Sequence, residues 1–92
     1  LLDPLVERWA AFGWAATEIN GHDMAAICEA LDWADEQVQQ PTMIVANTVK
    51  GKGVSFLEGR PEFHNAPLDE AQFAQAIAEL EDALVEMEEA KR

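Results

Sequence analysis

The segment Thr42-Met43-Ile44-Val45-Ala46-Asn47-Thr48-Val49-Lys50-Gly51-Lys52-Gly53-Val54 joins an apolar run to a stretch of glycines and lysines. Residues 42–49 form a short, mainly apolar segment rich in β-branched side chains, which is typical of a strand buried on both faces of a parallel sheet. The carboxyl end of such a strand is where open α/β sheets bind their ligands. The segment therefore predicts a parallel α/β sheet with a binding loop at the end of one strand.

A strand and a helix are predicted just before this segment. Residues 14–19 favour a strand that ends at the turn signal Asn20-Gly21, and residues 23–39 favour a helix with Asp23 as its N-cap. The spacing of 4, 3 and 4 places four apolar residues on one face of that helix: Ile27, Leu31, Ala34 and Val38. Strand, helix and strand in this order form a βαβ unit. The fold class is thus α/β, with a βαβ unit of a parallel sheet and flanking helices.

Helices are also predicted at both ends of the chain. The first covers residues 4–12, with Asp3 as its cap and Gly13 at its end. The last covers residues 69–90, with Asp69 and Gln72 forming a capping box. Its apolar residues repeat at intervals of 4, 3, 4 and 3: Phe73, Ile77, Leu80, Leu84 and Met87.

The predicted elements expose more apolar surface than they can cover. A two-stranded sheet is marginal by itself, and a parallel pair needs neighbours on both edges and both faces. Since the chain of 92 residues starts at Leu1 and runs almost at once into helix-like sequence, we expect it to be a piece or a subunit of something longer. Residues 1–92 then form one partial domain whose sheet other polypeptide completes.

The composition excludes several classes of function. Six Lys and Arg against 18 Asp and Glu give a formal charge of −12, which argues against a nucleic-acid binder and against binding to an anionic membrane surface. No apolar run approaches the roughly 20 residues of a membrane span, and no secretory signal is recognisable. Cys28 is the single cysteine, so it indicates a reducing, cytoplasmic setting, and we expect it to be at least half-buried in its helix.

One stretch of this acidic chain is locally positive. Lys50, Lys52 and Arg60 lie within eleven positions of one another, with Glu58 as the one acid among them. Glycines allow backbone N–H groups to approach an anion, and lysine supplies the charge. Residues 50–66 therefore predict a phosphate or diphosphate loop, although the spacing is not that of a Walker motif. The alternative is a flexible basic loop kept soluble by its lysines.

Two histidines are further candidates. His64 follows Lys50 by fourteen residues in the same loop, where it could donate to a phosphate or transfer a proton, or be an ordinary surface residue. His22 lies at the end of the first predicted strand, and its role stays open. The possible acid pairs Glu18 with Asp23, and Glu58 with Glu62, are indistinguishable from solvated charges. The acids of the last helix are interpreted as its solvent-facing side: Glu79, Glu81, Asp82, Glu86, Glu88 and Glu89.

Several segments occur in the order seen in transketolases: Ala11-Phe12-Gly13-Trp14, Asn20-Gly21-His22-Asp23, Pro41-Thr42-Met43-Ile44-Val45-Ala46, Thr48-Val49-Lys50-Gly51-Lys52-Gly53-Val54 and Glu62-Phe63-His64. Over nearly its whole length the chain resembles the final third of the diphosphate-binding domain of that family, especially of its split, two-subunit type. The resemblance implies a transferase of the pentose phosphate pathway type that moves two-carbon ketol units between sugar phosphates.

The resemblance also implies the cofactor and its contacts. The family uses thiamine diphosphate with Mg²⁺ or Ca²⁺; the residues matching Lys50 and His64 contact the cofactor near its diphosphate, and that histidine also faces the sugar. The cofactor supplies the chemistry, whereas the protein supplies orientation and electrostatics. Asn65 replaces a common glycine, and Phe63 stands where tryptophan is common.

Other family motifs are not in this sequence. They are the Gly-Asp-Gly motif and the later Asn that hold the metal, and the pyrimidine-binding domain with its activating glutamate. The resemblance thus implies a fragment or small subunit that is inactive alone, and that needs the rest of the diphosphate-binding domain and a pyrimidine-binding subunit or domain in an oligomer. Two alternatives stay open: a non-catalytic module that binds a partner helix, and an enzyme like 1-deoxyxylulose-5-phosphate synthase.

Overall fold

The computed structural model describes residues 3–91, so residues 1, 2 and 92 of the predicted 1–92 domain lie outside the described residues. Within that range the chain forms helix α1 (Leu5–Ala11), strand β1 (Ala15–Asn20), helix α2 (Met24–Glu36), strand β2 (Thr42–Asn47), a short 3₁₀ helix (Pro61–Phe63) and helix α3 (Glu70–Ala90). The strands are parallel, and their register runs from Ala15 opposite Thr42 to Asn20 opposite Asn47. The predicted α/β fold class is confirmed.

Contacts within the chain divide it into two compact units, Leu1–Thr48 and Val49–Arg92. In the first unit, α1 lies against both strands and α2 lies against β1. The second unit consists of the glycine-containing loop, the 3₁₀ helix and α3. None of the helices in the described part of the chain is both long and apolar enough to cross a membrane.

The two longer helices begin at the N-caps expected from the sequence. Asp23 accepts a hydrogen bond from the Ala26 N–H at 3.1 Å through Oδ1. Asp69 accepts from the Gln72 N–H at 2.7 Å, and the Gln72 side chain accepts from the Asp69 N–H at 3.0 Å. Both predictions are confirmed, because short polar side chains at these positions satisfy N–H groups that the first helical turn leaves free.

The start of α1 differs from the prediction. The helix begins at Leu5, its N-cap is Pro4, and no side chain caps it, so the assignment of Asp3 as the cap is wrong. An N-cap side chain reaches the second or third helical N–H, and Asp3 lies one residue too early for that. Trp14 lies outside the strand that was predicted to include it. Its N–H donates to the Trp9 carbonyl at 3.3 Å, so Trp14 completes the end of α1.

The second helix and the second strand are shorter than predicted. Helix α2 ends at Glu36 because Gln37, with φ −87° and ψ 86°, leaves the helical region. Strand β2 ends at Asn47, whose carbonyl accepts from the Gly21 N–H at 2.7 Å. Its neighbour β1 turns away at Gly21, so the chain after Asn47 has no strand to pair with among the described residues.

The buried side of α2 does not coincide with the apolar face given by the residue spacing. Leu31 is 55% exposed and Val38 is 86% exposed, whereas Ala30 is buried. The inner side of α2 carries Ala30 and Trp33, which line a shallow hollow together with residues of β1. Of the four residues predicted to share one face, Ile27, Leu31 and Ala34 do so within α2, whereas Val38 lies beyond the end of the helix.

Cys28 is exposed, so the expectation of a buried or half-buried thiol is also wrong. In the helix it lies two residues from both Ala26 and Ala30, and about 100° of rotation per residue places it on the opposite side from them.

The described residues contain little buried core. Three side chains are buried, all of them small: Ala30, Val54 and Ala76. In β2, residues 42–45 are half-buried and residues 46 and 47 are exposed, so the prediction of a strand buried on both faces is not met within residues 3–91. Each strand here has one strand neighbour, which leaves much of its surface uncovered.

Candidate functional site

The segment from residue 50 to residue 60, here called the cationic loop, folds back on itself. The Gly59 N–H donates to the Lys50 carbonyl at 2.7 Å and joins the two ends of the loop. Across its middle, the Gly53 N–H donates to Glu58 Oε1 at 3.1 Å. These bonds and the consecutive turns give the predicted loop a defined shape.

Glycine is required at position 51 for two reasons. Its φ of +73° lies in the left-handed region that side chains with a Cβ adopt at a cost. A Cβ built there would lie 2.6 Å from the Leu57 carbonyl oxygen and 2.8 Å from the Leu57 Cβ. The turn therefore brings the Leu57 backbone against Lys50-Gly51 in a way that a larger residue prevents.

Helix α3 supports the cationic loop from one side. The Ser55 N–H donates to Glu79 Oε1 at 3.1 Å, and Val54 of the loop and Ala76 of the helix are both buried. Glu79 Oε2 is buried too and has no hydrogen-bond partner among the described residues. The prediction that Glu79 is one of the solvent-facing acids is therefore wrong. The sequence signal for its role is its position one turn after Ala76, beside the apolar residues of α3.

The structure brings Lys50 and His64 into direct contact. Lys50 Nζ lies 3.0 Å from His64 Nδ1. An ammonium group has donors only, so His64 Nδ1 accepts this bond and the neutral ring carries its proton on Nε2. Lys50 has two further N–H groups and His64 has its Nε2–H, and both residues are exposed.

A hollow of about 180 Å³ adjoins Lys50. Lys50, Gly51 and Arg60 form its polar part, and its apolar part is formed by Leu57, Phe63, Ala66 and Leu68. Phe63 is held by an edge-to-face contact with Phe56, with ring centroids 6.1 Å apart. The hollow therefore combines positive charge with an apolar wall, which suits an anion that carries an organic group.

The acidic residues considered as possible acid pairs form local structural contacts instead. Glu58 bonds the Gly53 N–H, and Glu62 lies 3.7 Å from Arg60 Nη1 in an exposed, weak ion pair, so these two acids do not form an acid pair. Glu18 accepts from Asn47 Nδ2 at 2.8 Å, and Asp23 caps α2.

His22 belongs to the first unit and Lys50 to the second. The His22 backbone N–H donates to Asn20 Oδ1 at 2.9 Å in the turn before α2. Residues 3–91 contain no group of three or more His, Cys, Asp or Glu side chains that could hold a metal ion.

Comparison with known proteins shows the family of the chain. Residues 1–83 match the family model described as "Transketolase, thiamine diphosphate binding domain". The chain belongs to the transketolase family. The resemblance inferred from the order of the motifs is thereby confirmed at the level of the family and of its diphosphate-binding domain.

Relatives in this family include proteins described as subunits. The 6-deoxy-6-sulfo-D-fructose transketolase subunit SqwG of Clostridium sp. (strain MSTE9) is 45% identical over 80 residues, which are 87% of this chain and 29% of that protein. An apulose-4-phosphate transketolase subunit of Actinobacillus succinogenes is 39% identical over 83 residues, again 87% of this chain and 29% of the relative. Human transketolase is 35% identical over 79 residues, 86% of this chain and 12% of the relative. The chain thus spans less than a third of each.

Proposed function

We propose that this chain is part of a transketolase-like transferase that moves two-carbon ketol units between sugar phosphates. In this proposal Lys50 and His64 bind thiamine diphosphate at its diphosphate, and His64 also faces the sugar. The observation that supports it most is the 3.0 Å contact between Lys50 Nζ and His64 Nδ1 beside the hollow lined by Lys50 and Arg60. Membership of the family supports thiamine diphosphate as the cofactor.

The residues present fit a diphosphate group. Lys50 has two N–H groups left after its bond to His64, and the His64 Nε2–H is a third donor. The Gly51 N–H forms no hydrogen bond with any of residues 3–91, and Gly51 lines the hollow. Hydrogen bonds from an ammonium group to phosphate oxygens are charge-assisted, which makes them shorter and stronger than neutral ones.

Each residue then has a defined task. When bound, thiamine diphosphate supplies the nucleophilic carbon for ketol transfer. Lys50 compensates the negative charge of the diphosphate and keeps the His64 ring in the tautomer that donates through Nε2. His64 orients a phosphate oxygen or a sugar hydroxyl with that N–H. Leu57 and Phe63, which line the same hollow, offer apolar surface to the organic part of the bound group.

The proposed enzyme needs further polypeptide. The chain spans 29% of the length of the two bacterial relatives described above, and both are named as subunits. We place the ligands of Mg²⁺ or Ca²⁺, the rest of the diphosphate-binding domain and a pyrimidine-binding subunit on such polypeptide, in an oligomer. The chain alone then has no turnover. A cytoplasmic setting agrees with its single cysteine.

The anion site can be tested on the chain alone. Inorganic pyrophosphate is titrated into isotope-labelled protein, and the nuclear magnetic resonance signals of the Gly51 amide and the His64 ring nitrogens are followed. We expect both to shift with millimolar affinity. A charge-assisted bond contributes about 1.5–3 kcal/mol, so Lys50→Met should weaken binding by about tenfold or more, and the matched variant Lys52→Met should not. Equal effects of the two variants would contradict the site.

The assembled enzyme gives the second test. Thiamine diphosphate with Mg²⁺ is titrated into the isolated chain and into the complex purified from its host. Micromolar affinity of the isolated chain would contradict a site completed by other polypeptide. In the complex, His64→Ala should abolish turnover while assembly persists. Retained turnover with intact assembly would favour the alternative function, a non-catalytic interaction module. The exposed apolar residues of α3 are the observation that supports this alternative.

A further inference from the structure

Helix α3 carries a continuous apolar stripe that the described residues leave uncovered. The "α3 stripe" consists of Phe73, Ile77, Leu80, Leu84 and Met87, whose side chains are between 40% and 60% exposed. Intervals of 4, 3, 4 and 3 keep these residues on one line along the helix, which is the pattern of a seam between two helices. At about 1.5 Å per residue the stripe is roughly 21 Å long, enough for four turns of a second helix.

The two edges of the α3 stripe differ. One edge consists of Ala76, Ala83 and Ala90, and the cationic loop covers its beginning, since Ala76 is buried and the adjacent Glu79 bonds Ser55. The opposite edge carries Glu81 and Glu88, which are both exposed. The open surface is therefore a strip of large apolar side chains between the loop on one side and acidic residues on the other.

The charge of α3 limits what can cover this strip. Residues 70–90 contain Glu and Asp side chains but no Lys or Arg. If a second copy placed its α3 against the first, it would bring acidic helices together and join two chains that each carry a formal charge of −12. Like charges beside an apolar seam disfavour such a pairing, whereas basic residues opposite the Glu edge favour it.

We propose that the α3 stripe is the docking site for one amphipathic helix of a partner polypeptide, with Lys or Arg along the edge that faces Glu81 and Glu88. The apolar seam of that helix covers Ile77, Leu80 and Leu84. Its basic edge fixes the register and the choice of partner, because apolar burial alone would accept any amphipathic helix. This docking depends neither on the cofactor nor on the anion site.

The test uses the full chain and two synthetic peptides of about the length of α3. Both peptides carry the same leucine seam with a period of about 3.5 residues. One has Lys beside the seam, and the other has Glu. Fluorescence anisotropy should show that the Lys peptide binds at least about tenfold more tightly at low salt, and that added salt reduces this ratio by screening. Equal binding of the two peptides would overturn the proposal.

Variants of the chain distinguish binding at the Glu81 and Glu88 edge from general attraction of a basic peptide to an acidic protein. The double variant Glu81→Lys and Glu88→Lys should reverse the preference between the peptides. The matched double variant Asp82→Lys and Glu89→Lys changes the net charge equally on the far side of α3 and should keep the original preference. If both doubles act alike, the proposal is wrong.

Two further measurements complete the test. Leu84→Asp should abolish binding of the Lys peptide while circular dichroism shows unchanged helix content; undiminished binding by this variant would place the peptide elsewhere and overturn the proposal. Sedimentation equilibrium of the unmodified chain should show a monomer at micromolar concentration. A dimer that Leu84→Asp dissociates would identify a second copy as the occupant and overturn the proposal.

Discussion

Lys50 Nζ lies 3.0 Å from His64 Nδ1, although His64 follows Lys50 by fourteen positions in the sequence. Local bonds account for this proximity. The Gly59 N–H returns the chain to the Lys50 carbonyl, and the 3₁₀ helix Pro61–Phe63 then carries it onward to His64, whose N–H donates to the Pro61 carbonyl at 3.1 Å. One continuous segment, residues 50–64, therefore positions both side chains.

The first prediction concerns the tautomer of His64. With the ring in its neutral form, Nδ1 should lack a proton and Nε2 should carry one, because Lys50 donates to Nδ1. Long-range ¹⁵N–¹H spectra in alkaline buffer distinguish the two nitrogens. Lys50→Met removes the donor, so a measurable fraction of the Nδ1–H tautomer should appear, while Lys52→Met should leave the spectrum unchanged. A mixed tautomer in the unmodified chain would contradict the bond.

The second prediction compares two glycines of the cationic loop that share a positive φ. Gly59 has φ +68° and open space where a Cβ would lie, so Gly59→Ala should cost about 1–2 kcal/mol from the backbone alone. Gly51→Ala meets the Leu57 carbonyl oxygen as well, which adds an overpacking cost of about 1–3 kcal/mol. Urea unfolding in a stabilising osmolyte measures the difference. Equal losses would mean that Leu57 does not lie against Gly51.

The third prediction concerns the support of the loop by Glu79. Glu79→Ala removes the acceptor of the Ser55 N–H, and hydrogen bonds to charged groups contribute about 1.5–3 kcal/mol. Exchange of the Ser55 amide with solvent should therefore become about tenfold faster or more. Glu86→Ala is the control, since Glu86 is an exposed acid of the same helix. Unchanged exchange in Glu79→Ala, or an equal gain in the control, would show that Glu79 does not hold the loop.

The fourth prediction concerns the start of α3. Asp69→Ala removes both the side-chain acceptor for the Gln72 N–H and the reciprocal arrangement of the capping box, and should cost about 0.5–2 kcal/mol. Asp82→Ala, an exposed position inside the same helix, should change stability by less than about 0.5 kcal/mol. Thermal unfolding followed by circular dichroism compares the two. A larger loss from Asp82→Ala would argue against the cap.

Features that depend on neighbouring residues could be predicted from the sequence. The caps Asp23 and Asp69 follow from side-chain donors and acceptors within three residues. The parallel strands follow from an apolar run on either side of a helix. The contact between Lys50 and His64 agrees with the family resemblance, which implies that both residues contact the cofactor; their role in binding stays a prediction.

Features that depend on distant contacts could not be predicted in the same way. The buried side of α2 depends on its packing against β1, where Ala30 and Trp33 line a hollow with strand residues. In the sequence Glu79 resembles the other acidic residues of α3. Its distinct role comes from a hydrogen bond with the Ser55 N–H, which lies in a loop 24 residues earlier. Periodicity gives the faces of a helix, but only the rest of the fold determines which face is used.

The two-stranded sheet has a consequence for handling the protein. Strands β1 and β2 each leave one edge without a strand partner among residues 3–91, and such edges present main-chain N–H and C=O groups to other chains. Repulsion between molecules that each carry a formal charge of −12 opposes such pairing. The protein should stay soluble at high concentration in low-salt buffer at neutral pH. It should aggregate at high salt concentration, or on acidification toward its isoelectric point near 4.2.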